Sequence, residues 1–251
     1  MRRRSAILLV SAVGAAAAIA LPSIQTKQAV GDTKITHVVV DETPVTLGPA
    51  AKVTLHWAIT AEDDSGIRSV GPVGMWSRNY GLIKASKAVC TAVSKTTSVC
   101  RGTAVADSTE RALWNDNAGW WHIQAQANAN DGDHYANDKA GYFLLRRSTE
   151  TVVYGVPQQA KAGQRVSVGG QLTEADWPHH QMVPAGAQQV VLRFKPRGSD
   201  AYQTVAKVGN QPDGTMSATV TITGTGSYAW FYAGSTYTAS SRSTDAQVTV
   251  G

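Results

Sequence analysis

Apolar and polar side chains alternate at a period of two along most of this chain, and no segment after residue 20 keeps the 3.6-residue period of a helix. A clear case begins at Trp120, where Trp121 and Ile123 alternate with His122 and Gln124. Alternation of this kind places successive side chains on opposite faces of a strand. The sequence therefore predicts an all-β fold that is nearly free of helix.

The alternating segments are short, evenly spaced and separated by loops rich in Gly, Asp, Asn and Ser. Seven of them precede Ser148 and a second set of seven begins at Thr151, a number and spacing typical of immunoglobulin-like sandwiches of about 100 residues. The predicted fold class is two tandem immunoglobulin-like antiparallel β-sandwiches, spanning residues 33–148 and 151–251. The connection Ser148-Thr149-Glu150 is very short and lacks Pro and Gly, so we expect restricted motion between them. Asp213-Gly214 predicts a hairpin within the second sandwich.

An export signal is predicted at the start of the chain. Arg2, Arg3 and Arg4 precede an apolar run, 6–20, which ends in a small-x-small triplet. The run is shorter than a membrane span of about 20 apolar residues. We therefore expect residues 1–20 to be a signal peptide, residues 21–32 to be a flexible segment, and the mature protein to be secreted without inserting into a membrane.

The charge distribution argues against nucleic acid as a partner. The formal net charge is +5, but three of the 23 basic residues belong to the predicted signal peptide. Residues 21–148 carry 13 basic and 12 acidic side chains, and residues 149–251 carry 7 and 6. A nucleic-acid surface needs clustered Lys and Arg, whereas Arg146-Arg147 is only a pair.

The chain contains two cysteines, Cys90 and Cys100. In a chain exported to an oxidising compartment they are predicted to form a disulfide with each other. The bond would staple two neighbouring strands across a hairpin and stabilise the first sandwich by about 2–3 kcal/mol, because it closes a short loop.

Two acidic segments follow predicted strands, Glu62-Asp63-Asp64 and Asp131-Gly132-Asp133. Loops at one end of a sandwich can gather six to eight oxygen ligands for calcium. The same residues also suit tight turns, in which Asp side chains accept hydrogen bonds from nearby backbone amides. Calcium binding by Glu62, Asp63, Asp64, Asp131 and Asp133 is therefore one hypothesis, and turn formation is the other.

Aromatic residues give a second hypothesis. Trp120 and His122 share the polar face of a predicted strand, where a large ring stays partly in water unless the second sandwich, a loop or a ligand covers it. Trp177 lies in a loop-like stretch before Pro178, and loop aromatics can also contact ligands. We take Trp120, His122 and Trp177 as candidate ligand contacts, with burial against the protein itself as the alternative.

Several motifs resemble those of a known family. The second half resembles the immunoglobulin-like modules of secreted actinobacterial proteins, through Trp177, Val191-Leu192-Arg193-Phe194, Asp213-Gly214, Gly226-Ser227-Tyr228 and Tyr232-Ala233-Gly234. The first half resembles an uncharacterised β-sandwich domain of the same proteins, through Asp63-Asp64-Ser65-Gly66-Ile67, the close cysteine pair, Gly119-Trp120-Trp121 and Asp131-Gly132-Asp133. The resemblance implies an exported sandwich protein in which Trp177 packs onto its own domain, and it brings no catalytic residues.

No G-x-S-x-G elbow and no His-Glu-x-x-His pair is present. The sequence therefore predicts a protein that is not an enzyme, has no cofactor apart from the calcium considered above, and acts as a secreted or envelope-associated binding or structural module. Its expected partner is an extracellular protein or a polysaccharide. Two alternatives stay open, a calcium-binding sandwich protein and a secreted hydrolase inhibitor that presents the loop between Cys90 and Cys100.

Overall fold

The structure is a computed structural model that describes residues 27–41, 43–110 and 113–251. In these ranges the regular structure is almost entirely β-strand, and the single helical element is a 3-10 turn at Asn115–Asn117. The predicted all-β fold is therefore confirmed. The predicted signal peptide lies outside the described residues. Within the described ranges, no helix has the length and hydrophobicity that a membrane span requires.

The first sandwich is built from a seven-stranded and a four-stranded sheet. Its strands are β1 (Gln28–Val30), β2 (Lys34–Val40), β3 (Val45–Leu47), β4 (Lys52–Glu62), β5 (Ile67–Val70), β6 (Gly74–Ser77), β7 (Leu82–Lys84), β8 (Val89–Ala92), β9 (Thr97–Asp107), β10 (Gly119–Ala129) and β11 (His134–Arg147). One sheet has the order β2-β4-β9-β8, and the other contains β11-β10-β6-β7 with β3 parallel to β11. Lettered along the chain, these sheets are ABED and GFCC′, which is the immunoglobulin arrangement.

The second sandwich repeats this plan. Its strands are β12 (Thr149–Tyr154), β13 (Gln159–Ala160), β14 (Arg165–Asp176), β15 (Gln181–Pro184), β16 (Gln189–Pro196), β17 (Gln203–Gly209), β18 (Thr215–Thr221), β19 (Gly226–Tyr232), β20 (Ser241–Arg242) and β21 (Ala246–Val250). One sheet joins β12, β14 and β18, with β15 paired to the end of β14. The other has the order β21-β19-β16-β17, with β13 parallel to β21.

Period-two alternation places one set of side chains inside each sandwich. In the first core, Leu55, Trp57 and Ile59 of β4 face Trp121 and Ile123 of β10, and all five are buried. In the second core, the buried residues of the central strands are Val190, Leu192 and Phe194 of β16 with Tyr228, Trp230 and Tyr232 of β19.

Two local expectations need correction. Residues 21–32 were expected to be flexible, but Gln28–Val30 form β1, which pairs antiparallel with β11; residues 21–26 lie outside the described residues. Asp213-Gly214 does form a tight turn, closed by the Gln211 amide donating to the Thr215 carbonyl. The turn is not a hairpin, because β17 pairs with β16 in one sheet and β18 pairs with β14 in the other.

The two sandwiches meet end to end at a contact that we call the seam. The connection contains one residue outside a strand, Ser148, whose amide donates to the Leu47 carbonyl and whose carbonyl accepts from Ala175. Arg147 binds the second sandwich through its side chain, at 3.0 Å from the Glu174 carboxylate. The end of β11 is therefore held by hydrogen bonds and an ion pair to both sides of the seam.

Candidate functional site

A cavity of about 430 Å³ lies at the seam, and we call it the seam cleft. Its walls come from the loop after β6, the 3-10 turn and the start of β10 in the first sandwich, and from the loop after β19 in the second. The lining residues are Ser77, Arg78, Asn79, Asp116, Asn117, Ala118, Trp120, His122, Thr236 and Tyr237. Ligand cavities have volumes of about 300–1,000 Å³ and often lie between domains. The seam cleft has both properties.

Trp120 is the largest side chain in the cleft wall. It lies on the outer face of β10, and 53% of its surface is exposed, whereas its neighbour Trp121 is fully buried. The Trp120 ring packs against Tyr142 of β11, with 5.4 Å between ring centroids and planes at 80°. Because this contact is edge to face, the two rings are not stacked and a large part of the indole stays open to solvent.

His122 lies two residues beyond Trp120, on the same face of β10. Its ring packs on Trp76 at 4.5 Å between centroids. Partial burial lowers the pKa of His122, and the positive charges of Lys139 and Arg78 lower it further. The imidazole is therefore neutral at neutral pH and offers one hydrogen-bond donor and one acceptor.

Tyr237 brings the second sandwich to the cleft. Its backbone carbonyl accepts a hydrogen bond from the Arg147 amide, and the Arg147 carbonyl accepts one from Ala239. Gly119 allows the ring to come close, because a Cβ there would lie 3.2 Å from the ring, and its φ of +118° favours glycine. The cleft is thus shaped by backbone contacts across the seam.

Trp177 is buried within the protein, as the alternative to ligand contact expects. Its side chain is fully buried and belongs to the hydrophobic core of the first sandwich, although it follows β14 of the second. The indole Nε1 donates to the Leu47 carbonyl at 3.2 Å, and the Trp177 amide donates to the Asn115 side chain at 2.9 Å. The family resemblance implied packing onto its own domain, and this expectation is wrong, since the Trp177 ring lies in the core of the neighbouring sandwich.

A smaller cavity of about 250 Å³ lies beside Trp177 and is bordered by Trp114, His179 and His180. The His179 ring is 2.7 Å from a carboxylate oxygen of Asp176, whose other oxygen accepts from Asn115. Burial alone would raise the pKa of Asp176, but hydrogen bonds from Asn115 and His179 outweigh it and lower the pKa. The Asp176 carboxylate therefore accepts a hydrogen bond across the seam, from the Asn115 side chain of the first sandwich.

The two acidic segments meet at the opposite end of the first sandwich. The Asn130 side chain donates to the Ser65 carbonyl, and the Asp131 amide donates to the Ser65 hydroxyl. Two sets of three aspartates have ligand oxygens within 4.8 Å of one another, namely Asp63, Asp64 and Asp131, and Asp32, Asp63 and Asp133. We call these five aspartates the acidic cluster. Glu62 is not among them, and its carboxylate pairs with Lys34 at 3.2 Å.

Aspartates of the acidic cluster also accept the backbone hydrogen bonds that are typical of tight turns, as the hypothesis of turn formation predicts. Asp63 is buried and accepts from Thr33 at 2.5 Å and from the Ser65 amide at 2.8 Å. Burial would raise the pKa of Asp63, but the donors from Ser65 and Thr33 outweigh it and lower the pKa. Reduced solvation and the charges of Asp64 and Asp63 raise the pKa of Asp32. In the acidic cluster, the Asp63 carboxylate therefore has hydrogen-bond donors of its own, whereas Asp32 is repelled by the neighbouring negative charges.

Cys90 and Cys100 form a disulfide, as predicted. They are directly opposite each other on β8 and β9, which form a hairpin at the edge of the four-stranded sheet. The loop between these strands is closed by the Ser94 hydroxyl, which accepts from the Thr96 and Thr97 amides. The bond therefore fixes an edge hairpin rather than joining the two sheets.

Comparison with known proteins gives no family. No family model matches the chain, and no curated protein matches it. Among solved structures, a superoxide reductase (neelaredoxin) from Ignicoccus hospitalis is similar with a TM-score of 0.30 and 13% identity, over 41% of this chain and 80% of that chain. The adhesin InvE of Yersinia pseudotuberculosis gives 0.29 and 12%, over 86% and 58%. The D00-D0 domain of intimin gives 0.30 and 10%, over 84% and 98%. Similarities this low support no assignment of function.

Sequence reasoning identified Trp120 and His122 but missed other members of these sites. Tyr142 could have been found, since it alternates with Phe143 and so faces outward on β11. Tyr237 and Asp32 could not, because no periodic pattern reaches the loops in which they lie. Their positions depend on how the second sandwich and strand β1 pack against the rest.

Proposed function

We propose that this chain is a non-enzymatic binding module of the cell exterior whose ligand occupies the seam cleft and contacts Trp120. The observation that carries the proposal is the half-exposed indole of Trp120 in a cavity built by both sandwiches. Aromatic residues are enriched at contact surfaces, and Trp120 differs from the other exposed tryptophan, Trp114, in lining a cavity of about 430 Å³ rather than one of about 250 Å³.

The disulfide supports an extracellular location, because such bonds persist in oxidising compartments. The proposal includes export of the protein by residues 1–20, acting as a signal peptide. The paired immunoglobulin-like sandwiches suit a binding role, since rigid sheets hold loops and strand faces in place. Because the contact at the seam is fixed before binding, a ligand would not lose binding free energy to ordering the cleft.

The test is retention of the purified protein by the envelope fraction of the producing cells. Trp120→Ala should reduce retention by about tenfold or more, as expected for a central aromatic contact. Trp114→Ala is the matched control, because Trp114 is also exposed but borders the other cavity. Equal retention of both variants and the unmodified protein would remove the proposal.

A second candidate function is calcium binding at the acidic cluster. It is favoured by the approach of aspartates from three separate segments, with ligand oxygens within 4.8 Å. Carboxylate oxygens are the ligands that calcium prefers. Calcium should raise the melting temperature of the unmodified protein and of Glu62→Gln, and should raise that of Asp131→Asn less. No change in melting temperature and in the resonances of the Asp131 loop would exclude this function.

The hydrolase-inhibitor alternative stays a prediction. The hairpin of β8 and β9 is at a sheet edge, so its loop is accessible to a large partner. A loop swap that leaves inhibition of every candidate hydrolase unchanged would exclude it.

A further inference from the structure

We propose that the ligand of the seam cleft is an uncharged carbohydrate, with one sugar ring lying on the indole of Trp120; this inference rests on the proposed binding function. The aromatic surfaces give the first argument. Trp120 and Tyr237 line the cleft and are 53% and 59% exposed, and Tyr142 beside Trp120 is 68% exposed. A pyranose has a face made of C–H groups, which packs on an aromatic ring, and hydroxyl groups at its rim that stay polar.

The polar groups around the rings give the second argument. The Asn79 side-chain nitrogen donates to the Asp116 carbonyl, which holds the amide in place at the cleft wall. Among the described residues, neither Arg78 nor the Asp116 carboxylate forms an ion pair. Planar amide, carboxylate and guanidinium groups can each bind two neighbouring hydroxyls, which is the pattern that a sugar presents.

His122 extends the same pattern. Burial, with Lys139 and Arg78, lowers its pKa and keeps the imidazole neutral, so that it can donate to one hydroxyl and accept from another. A protonated ring would only donate. The packing of its ring on Trp76 at 4.5 Å fixes its orientation before a ligand arrives.

The charge of the cleft separates this class of ligand from others. Arg78 and Asp116 contribute one positive and one negative charge, and His122 is neutral. A site for an anionic polymer would need an excess of Lys and Arg. A site for an apolar peptide would not place two unpaired charged groups at its wall, since their desolvation is costly. The cavity of about 430 Å³ has room for a short oligosaccharide.

The experiment measures depletion of the purified protein from solution by insoluble polysaccharides, namely cellulose, chitin, a β-1,3-glucan and the purified wall polysaccharide of the producing cells. Soluble oligosaccharides of each type serve as competitors. We expect retention by at least one of them, competition by the matching oligosaccharide, and affinity about tenfold or more weaker in Trp120→Ala. Trp114→Ala should bind as the unmodified protein does. Melting curves of both variants confirm that they are folded.

A second arm separates failure of this inference from failure of the proposed function. The envelope fraction is treated either with periodate, which oxidises sugar diols, or with protease. Periodate should abolish Trp120-dependent retention and protease should not. If envelope retention depends on Trp120 but survives periodate, or depends on Trp120 while none of the polysaccharides binds, the ligand is not a carbohydrate and the binding function stands. If envelope retention does not depend on Trp120, the proposed function itself is wrong.

Discussion

Trp120 and Trp121 are adjacent in sequence and have opposite roles. Trp121 is fully buried in the first core and donates from its Nε1 to the Asn117 carbonyl at 2.8 Å. Trp120 is on the other face of β10, in the wall of the seam cleft. One residue thus stabilises the fold while its neighbour is free to contact a ligand, and the pleat of a single strand separates the two tasks.

This separation makes a prediction about stability. Trp121→Ala should lower the free energy of unfolding by about 3–5 kcal/mol, because it leaves a large cavity and an unpaired Asn117 carbonyl. Trp120→Ala should lower it by less than about 1 kcal/mol, since the ring is half exposed. Urea unfolding followed by circular dichroism measures both values. Similar losses in the two variants would mean that Trp120 is also a structural residue.

Asp107 makes a prediction about acid stability. Burial would raise the pKa of this carboxyl, but its hydrogen bonds from Lys52 and Thr109 dominate and lower the pKa to about 2. A lowered pKa in the folded state stabilises the protein above the unfolded pKa of about 3.8. That contribution is lost as the pH falls from about 4 to about 2.

The matched variant is Asp107→Asn. Its melting temperature should be lower than that of the unmodified protein at neutral pH, and the difference should shrink between about pH 4 and pH 2. A difference that stays constant over this range would show that the carboxylate charge does not stabilise the fold.

At the scale of elements, alternation was sufficient to predict strands but not their partners. The interiors of β4, β10 and β16 follow from the period of two, because each of these strands alternates between a buried face and a more exposed one. β19 does not alternate in this way, since all of its residues except Phe231 are buried. The turn at Asp213-Gly214 has the local chemistry of a hairpin, yet its strands belong to opposite sheets. Local residues fix the turn, whereas long-range pairing with β14 and β16 decides where each strand goes.

At the scale of elements, we predict how the disulfide of the β8 and β9 hairpin affects stability. The hairpin is an edge element held by one disulfide, and only β9 has a second neighbouring strand in its sheet. Replacing both cysteines, Cys90→Ser with Cys100→Ser, should lower the free energy of unfolding by about 2–3 kcal/mol through the entropy of the unfolded chain. Denaturant unfolding measures this loss. Unchanged stability would contradict it, and envelope retention should persist because the hairpin does not line the seam cleft.

At the scale of the whole molecule, the seam is the feature that sequence could not predict. The short linker indicated restricted motion, but nothing in the pattern around Trp177 shows that its ring enters the core of the first sandwich. Trp177 follows β14 of the second sandwich, so only the packing of the two sandwiches decides which core receives it. The cleft has the same origin, since Tyr237 and Trp120 are 117 residues apart in the chain and meet only across the seam.

Trp177→Ala tests the seam itself. It removes a fully buried ring and the hydrogen bond from the indole Nε1 to the Leu47 carbonyl, so it should destabilise the protein by about 3–5 kcal/mol. It should also expose the connection at Ser148, whose backbone is hydrogen-bonded on both sides. Limited proteolysis should therefore cut the variant near Ser148 faster than the unmodified protein. Equal cleavage rates would contradict a seam held by Trp177.

The most direct test of the central claim is hydroxyl-radical footprinting of the purified protein, read by mass spectrometry, with and without the envelope fraction. A ligand in the seam cleft should protect Trp120 and Tyr237 from oxidation. It should leave Trp114 and Tyr80 as reactive as before, since both are exposed outside the cleft. Protection at Trp114 or at the hairpin of β8 and β9, with Trp120 and Tyr237 unchanged, would contradict the claim.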